Sequence, residues 1–176
     1  MLADRRDLLG EPVGGCGDCT NADDRVASSA AHGFLADLAV VEVDRETGLV
    51  RVLDYVTVHD AGRLLNPLLV EGQVRGGFAH GVGAALFERV VHDEDGTLLS
   101  GTLMDYLCPT GADLPPLTIG HLETHSPFTT LGAKGLGEGT TMSAPAAIGN
   151  AVADAVGADG VEVPLTPARV WELLQR

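Results

Sequence analysis

The stretch from Thr129 to Asp154, TTLGAKGLGEGTTMSAPAAIGNAVAD, constrains the chain more than any other. Gly135, Gly137 and Gly139 alternate with other residues, and one acid, Glu138, stands among them. Glycine lets a backbone approach a ligand closely and take positive φ without steric cost. A carboxylate in such a loop is placed by the backbone. After the loop, Ala144, Ala147, Ile148, Ala151, Val152 and Ala155 recur at helical spacing, so a helix with a small-residue face is expected. Ser143 suits its cap, Pro145 its first turn and Gly157 its left-handed end.

Three readings of this loop compete. It is a tight strand-to-helix turn in which Glu138 helps the helix start, a nucleotide loop, or a cofactor loop carrying a catalytic carboxylate. The nucleotide reading fails on register: there is no GxxxxGK[ST], and GAKGLGEG does not match GxGxxG. Local chemistry leaves the other two open.

A chain of 176 residues suits one domain with a real core. Hydrophobic residues make up 45% and aromatics only 4%, while glycines number 23, so close backbone packing or a surface for a partner or cofactor is implied. The formal net charge of −14 argues against nucleic-acid binding, which needs basic groups to displace counterions. No apolar run is long enough to span a membrane. Three cysteines, Cys16, Cys19 and Cys108, with no secretory pattern at Met1, point to a reducing, cytoplasmic setting. Cys16 and Cys19 form a lone CxxC, without the second pair of a zinc ribbon or the βαβ setting of a redox motif. Residues 1–30 therefore read as a flexible leader, and residues 31–176 as the folded part.

Leu38 to Asp44 and Leu49 to His59 read as a hairpin turning at Arg45 to Gly48, with Val50, Val52, Val56 and Val58 alternating on one face. His59 and Asp60 are set aside as a catalytic pair, because strand neighbours point to opposite faces. Asn66-Pro67 starts a helix expected to reach about Glu88, with Val70, Val74, Gly77, Phe78, Gly81, Val82, Ala85 and Leu86 as its buried stripe. Five glycines in that helix, Gly72, Gly76, Gly77, Gly81 and Gly83, cost roughly 1 kcal/mol each, so close packing or a ligand must offset them. Gln73 and His80 are its polar side chains of interest. Arg89 to Leu99 reads as a second hairpin turning at Asp93 to Gly96. Leu117 to Glu123 reads as a strand, with His121, Glu123 and His125 a metal trio only if the chain stays extended. Thr166-Pro167 starts a last helix. The fold class is α+β: β-hairpins packed with Gly- and Ala-rich helices.

The order and spacing of these pieces carry a resemblance. VVEVDRETGLVRVLDYVTVHDAGRLLNPLLVEGQVRGGFAHGVGAALFE, AKGLGEGTTMSAPAAIGNAVADAV and PLTPARVWELL together resemble the C-terminal part of the molybdenum-binding large subunit of the xanthine dehydrogenase and aldehyde oxidase family. Carbon monoxide dehydrogenase-like large subunits look nearest. The resemblance runs from about His32 to Leu174. It implies a molybdopterin-binding domain holding molybdenum–molybdopterin, plain or in its cytosine dinucleotide form. It implies that Glu138 is the catalytic base. Gly135 and Gly137 then match the backbone that approaches the cofactor, with Lys134 beside them and Gln73 behind, and no protein side chain binds the metal directly.

The implied activity is oxidative hydroxylation of a small carbonyl, N-heterocyclic or related substrate, or CO oxidation. Electrons would leave through iron–sulfur clusters and FAD on partner subunits, since three cysteines cannot ligate the clusters. Family large subunits are several times longer. The rest of the large subunit is therefore an expected partner, and the isolated chain is expected to be inactive. The rival expectation is a non-catalytic remnant or assembly module that packs on another chain.

Overall fold

The computed structural model describes residues 31–129 and 131–175, so the expected leader and its CxxC lie outside the described residues. Strands β1 (Phe34–Val43) and β2 (Val50–Asp60) pair antiparallel, and β3 (Leu117–Leu122) pairs parallel to β2, giving the order β1-β2-β3. Helices α1 (Pro67–Leu86), α2 (Gly139–Val156) and α3 (Pro167–Leu174) complete an α+β architecture. The hairpin turn forms as expected. Asp44 accepts from Glu46 N at 2.9 Å and from the Thr47 hydroxyl at 2.8 Å, and Gly48 takes φ 73°. A Cβ on Gly48 would collide with the Pro167 carbonyl, so the turn seats directly against α3.

The valine alternation in β2 does not hold. Val41 pairs with Val52 and Val40 with Asp54, which leaves Leu53 as an extra residue. One extra residue reverses the facing of all that follow. The inward face therefore runs Val50, Val52, Tyr55, Thr57, His59, opposite the inward residues Val43, Val41, Ala39, Asp37 and Leu35 of β1. Val56 and Val58 turn to the outer face instead, beside exposed Phe34, Leu38 and Val40. Phe34 is 67% exposed and Leu122 59%, so this outer face is an open apolar surface.

The core lies on the inner side. Tyr55, Phe78, Val82, Ala85, Ile148, Val152, Leu165 and Val170 are buried together, with the Tyr55 and Phe78 rings 4.5 Å apart. Helix α1 begins as expected, with the Asn66 side chain accepting from Leu69 N at 3.3 Å. It ends at Leu86, and its stripe is buried from Val74 to Leu86, with Val70 only partly covered. The glycines divide. A Cβ on Gly81 would stand 2.6 Å from the Ala144 Cβ, and one on Gly77 3.1 Å from Thr141 Oγ1, so both permit contact between α1 and α2. Gly83 packs on Glu88 and Pro109, whereas Gly72 and Gly76 face open space.

Helix α2 starts earlier than Ser143 suggests. Glu138 is its N-cap, Ser143 lies in the second turn donating to the Gly139 and Thr140 carbonyls, and Pro145 is interior. Tertiary contacts fix this first turn: Thr141 Oγ1 donates to the Gly77 carbonyl at 3.2 Å, and Thr140 is buried against β2. The buried face is Thr140, Ala144, Ile148, Gly149, Val152 and Ala153, with Ala155 exposed. Gly157 ends the helix in the left-handed region, as expected. The second hairpin is reduced to a turn with one bridge, His92 to Leu98. Asp93 accepts from Asp95 N and Thr97 N there, at 3.0 and 2.7 Å.

One polar knot fastens the loop ahead of α2. Asp60, at the end of β2, accepts from Gly62 N at 2.9 Å, Thr124 N at 3.1 Å, the Thr124 hydroxyl, and the Lys134 ammonium at 3.0 Å. Lys134 Nζ also lies 2.6 Å from Thr124 Oγ1. Both charged side chains are over nine-tenths buried. The Thr124 hydroxyl first, then the Gly62 amide and Lys134, hold the Asp60 carboxyl well below the usual carboxylate range, against the opposing effect of burial.

Two outcomes follow from this packing. Gly81→Val should destabilise the chain by about 1–3 kcal/mol through overpacking against Ala144. Gly76→Ala, in open space, should stabilise it by about 0.5–1 kcal/mol. Urea denaturation of both variants checks the pair, and equal effects would contradict the contact. Asp60→Asn leaves Lys134 buried without its anion and should cost about 3–5 kcal/mol at neutral pH. A carboxyl lowered on folding stabilises fully above its unfolded pKa, and that contribution drains away as pH falls toward the folded value. The gap between wild type and Asp60→Asn should therefore narrow as pH falls below the ordinary carboxylate range. A gap constant from pH 7 to pH 3 would contradict the knot.

Candidate active site

The loop carrying Glu138 is supported along its length. Upstream, Lys134 N donates to the Ala61 carbonyl at 2.8 Å, Arg63 N to the Gly132 carbonyl at 3.1 Å, and Gly62 bridges Ala133. In the middle, Gln73 Nε2 reaches from α1 to the Gly137 carbonyl at 2.6 Å. Downstream, the chain enters α2. A backbone fixed at three places holds its side chains without help from those side chains.

Glu138 itself is exposed and makes no capping hydrogen bond. It borders a cleft of about 330 Å³, lined also by Gly33, Phe34, His59, Gly137 and Met142. Gly33 lies so close to the loop that a Cβ there would stand 2.5 Å from the Gly135 carbonyl. Among the described residues, a Cβ on Gly135 or Gly137 would meet nothing within 4 Å, so packing among them does not require glycine at either position. Both glycines line the cleft. The structure thus brings Glu138, Gly135, Gly137 and Gln73 into one place. It puts the Lys134 ammonium in the Asp60 knot, 5.4 Å from the centre of the Phe34 ring.

His59 was passed over in the sequence, and it borders this cleft. Strand neighbours do point apart: Asp60 turns to the knot and His59 to the start of α2. Its ring is 2% exposed, with Nε2 2.9 Å from Thr57 Oγ1 and 3.1 Å from Thr140 Oγ1. Burial holds its pKa below the usual histidine value, opposed by Asp37 and aided by His121. Only the bulge at Leu53, invisible to a period-two reading, turns His59 inward.

Among the described residues, the cleft offers the Glu138 carboxylate, the His59 ring and glycine backbone, groups that can meet the polar edge of a cofactor. Among the described residues no group of three His, Cys, Asp or Glu side chains could hold an ion. The His121, Glu123 and His125 trio does not assemble. Glu123 and His125 pair at 3.6 Å, while the His121 ring lies 6.4 Å from that of His59.

Comparison with known proteins agrees. A family model described as molybdopterin cofactor-binding domain matches residues 16–115. The chain is 45% identical over 134 residues to the nicotine 6-hydroxylase large subunit of Paenarthrobacter nicotinovorans, covering 74% of this chain and 16% of that protein. It is 37% identical over 141 residues to the carbon monoxide dehydrogenase large chain of Hydrogenophaga pseudoflava, covering 78% and 18%. Quinoline 2-oxidoreductase from Pseudomonas putida 86 superposes with a TM-score of 0.75 at 45% identity, covering 83% of this chain and 19% of that one. The chain thus spans under a fifth of the length of these three relatives. It belongs to the family of molybdopterin cofactor-binding domains, as a segment of a molybdenum-binding large subunit.

Proposed function

We propose that this chain supplies the general base, Glu138, and the cofactor-facing loop of a molybdenum hydroxylase. The observation that carries the reading is an exposed carboxylate that does no structural work, set on a loop fastened at three points beside open glycine backbone. When bound, the molybdenum–pterin group supplies a two-electron acceptor and a Lewis acid that acidifies water. Glu138 takes the proton of the attacking oxygen, which a carboxylate within hydrogen-bond reach can do at neutral pH. Gly135 and Gly137 let the backbone approach the cofactor, in plain or cytosine dinucleotide form. Gln73 holds the Gly137 carbonyl and Lys134 holds the loop's upstream end, so both shape the cofactor-facing surface.

The substrate class is a small carbonyl or N-heterocyclic compound, or CO. The names of two relatives, nicotine 6-hydroxylase and quinoline 2-oxidoreductase, favour the N-heterocycle. The remaining large-subunit polypeptide, joined to this segment or separate, completes the pocket and covers the open apolar sheet face. In this reading iron–sulfur clusters lie outside this segment, whose three cysteines fall short of even one four-thiolate cluster, and both they and FAD belong to partner subunits. The apolar face alone also suits a second reading, an assembly module without catalysis. The free carboxylate of Glu138 favours the first.

In the assembled enzyme, Glu138→Gln should keep the fold and the metal content but slow reduction of the molybdenum centre by substrate about 10²–10⁴-fold. If Glu138 only served the helix start, its change would cost roughly 0.3–1 kcal/mol of stability and leave the rate intact. Single-turnover reduction, read with metal content and melting temperature, decides between them. The 176-residue chain on its own should carry far less than one molybdenum per chain and should self-associate through its apolar face. Metal analysis and sedimentation check this; a loaded, monodisperse monomer would contradict it.

A further inference from the structure

A line of buried polar groups runs beneath the Glu138 turn. The Tyr55 hydroxyl donates to Asp37 Oδ2 at 2.7 Å, and the Thr57 hydroxyl donates to Asp37 Oδ1 at 2.5 Å. Thr57 has a single hydroxyl proton, and the carboxylate takes it. The 2.9 Å contact between Thr57 Oγ1 and His59 Nε2 is then a hydrogen bond only if the ring nitrogen carries the proton. Thr140 Oγ1 lies 3.1 Å from the same nitrogen and, as a hydroxyl, can accept from it as well. The ring is therefore the Nε2–H tautomer. Its opposite edge lies against Gly139: a Cβ there would meet His59 Cε1 at 3.5 Å and Nδ1 at 3.6 Å. The imidazole thus contacts Thr140 and lies beside Gly139, the two residues that follow Glu138.

We propose that His59, as the Nε2–H tautomer, is a positioning residue for Glu138: it braces Gly139 and Thr140 and so fixes where the carboxylate stands over the cleft. The inference rests on the catalytic reading of Glu138 for its purpose, though the brace itself does not. Protonation of Nδ1 would set a cation against the amide end of α2, where the helix dipole disfavours it. Asp37 from β1 and His121 from β3 act on the ring, Thr57 of its own strand contacts it, Tyr55 bonds Asp37 behind Thr57, and Glu138 at the start of α2 lines the same cleft. Burial and His121 outweigh Asp37, so the neutral brace persists below the ordinary histidine range and fails only in stronger acid.

Two measurements test this. In the 176-residue chain, ¹⁵N-histidine NMR should show His59 with a protonated Nε2 and a bare Nδ1 at pH 7, titrating below the ordinary histidine range. A protonated Nδ1 at pH 7, or ordinary titration, would overturn the proposal without any variant needing to fold. Hydrogen exchange then reads the brace. The Met142 amide donates to the Glu138 carbonyl at 3.2 Å. In His59→Met its exchange should quicken about 10-fold relative to the Ala153 amide of the same helix, and His59→Gln, which keeps an N–H donor, should restore it. Equal quickening at both amides would mean general destabilisation and overturn the proposal. In the assembled enzyme, His59→Met should lower kcat about 10–100-fold with KM within about 2-fold, as misplacement of a reacting group does, and His59→Gln should recover most of it. If kcat is unmoved while exchange at Met142 quickens, the brace stands and the catalytic reading of Glu138 falls. If neither moves, the positioning role falls alone.

Discussion

A single extra residue in β2 determines what this chain can do. Leu53 has no partner in β1, and its insertion reverses the facing of every later residue in the strand. Without it, Val56 and Val58 would face the helices, and Tyr55, Thr57 and His59 would face out. With it, Tyr55 enters the core against Phe78, His59 meets the start of α2, and Asp60 turns to receive Lys134. The core, the brace and the knot therefore share one register. Burying Thr57 and His59 is unfavourable unless each is hydrogen-bonded, and no buried side-chain polar atom among the described residues lacks a partner.

The helices depend on that sheet and on each other. Gly77 and Gly81 bring α1 close to Thr141 and Ala144 of α2, which explains two of the glycines that a helix carries at a loss. That contact, with His59, starts α2 at Gly139 although the best cap by residue type is Ser143. The result puts Glu138 at the cap position with its carboxylate unused. An acid at a helix start usually stabilises the helix; here the tertiary contacts already do so, and the carboxylate is left to the cleft.

Much of this was legible in the sequence. Asn66-Pro67, Gly48 and Gly157 marked boundaries because each acts through local stereochemistry. The Gly135–Gly139 run pointed to the candidate site, although local chemistry alone left a plain strand-to-helix turn equally open. The illegible parts were those set by partners distant in sequence. A bulge depends on register with β1, so the valine alternation misled. The role of His59 depends on Thr140, 81 residues away. Lys134, read as a cofactor neighbour, meets Asp60 74 residues earlier, a pairing no local pattern announces. Gly72 and Gly76 face open space, and no contact among the described residues accounts for them.

On the proposed reading, Glu138 faces the metal of a bound molybdenum cofactor. An experimental structure of the complex assembled with the remaining large-subunit polypeptide and loaded with cofactor measures this directly. The account predicts the Glu138 carboxylate within hydrogen-bond reach, about 2.6–3.2 Å, of an oxygen ligand on molybdenum, with Gly135 and Gly137 lining the approach. A carboxylate turned to solvent or buried against another chain, with the metal beyond the reach of any bridging water, would contradict it.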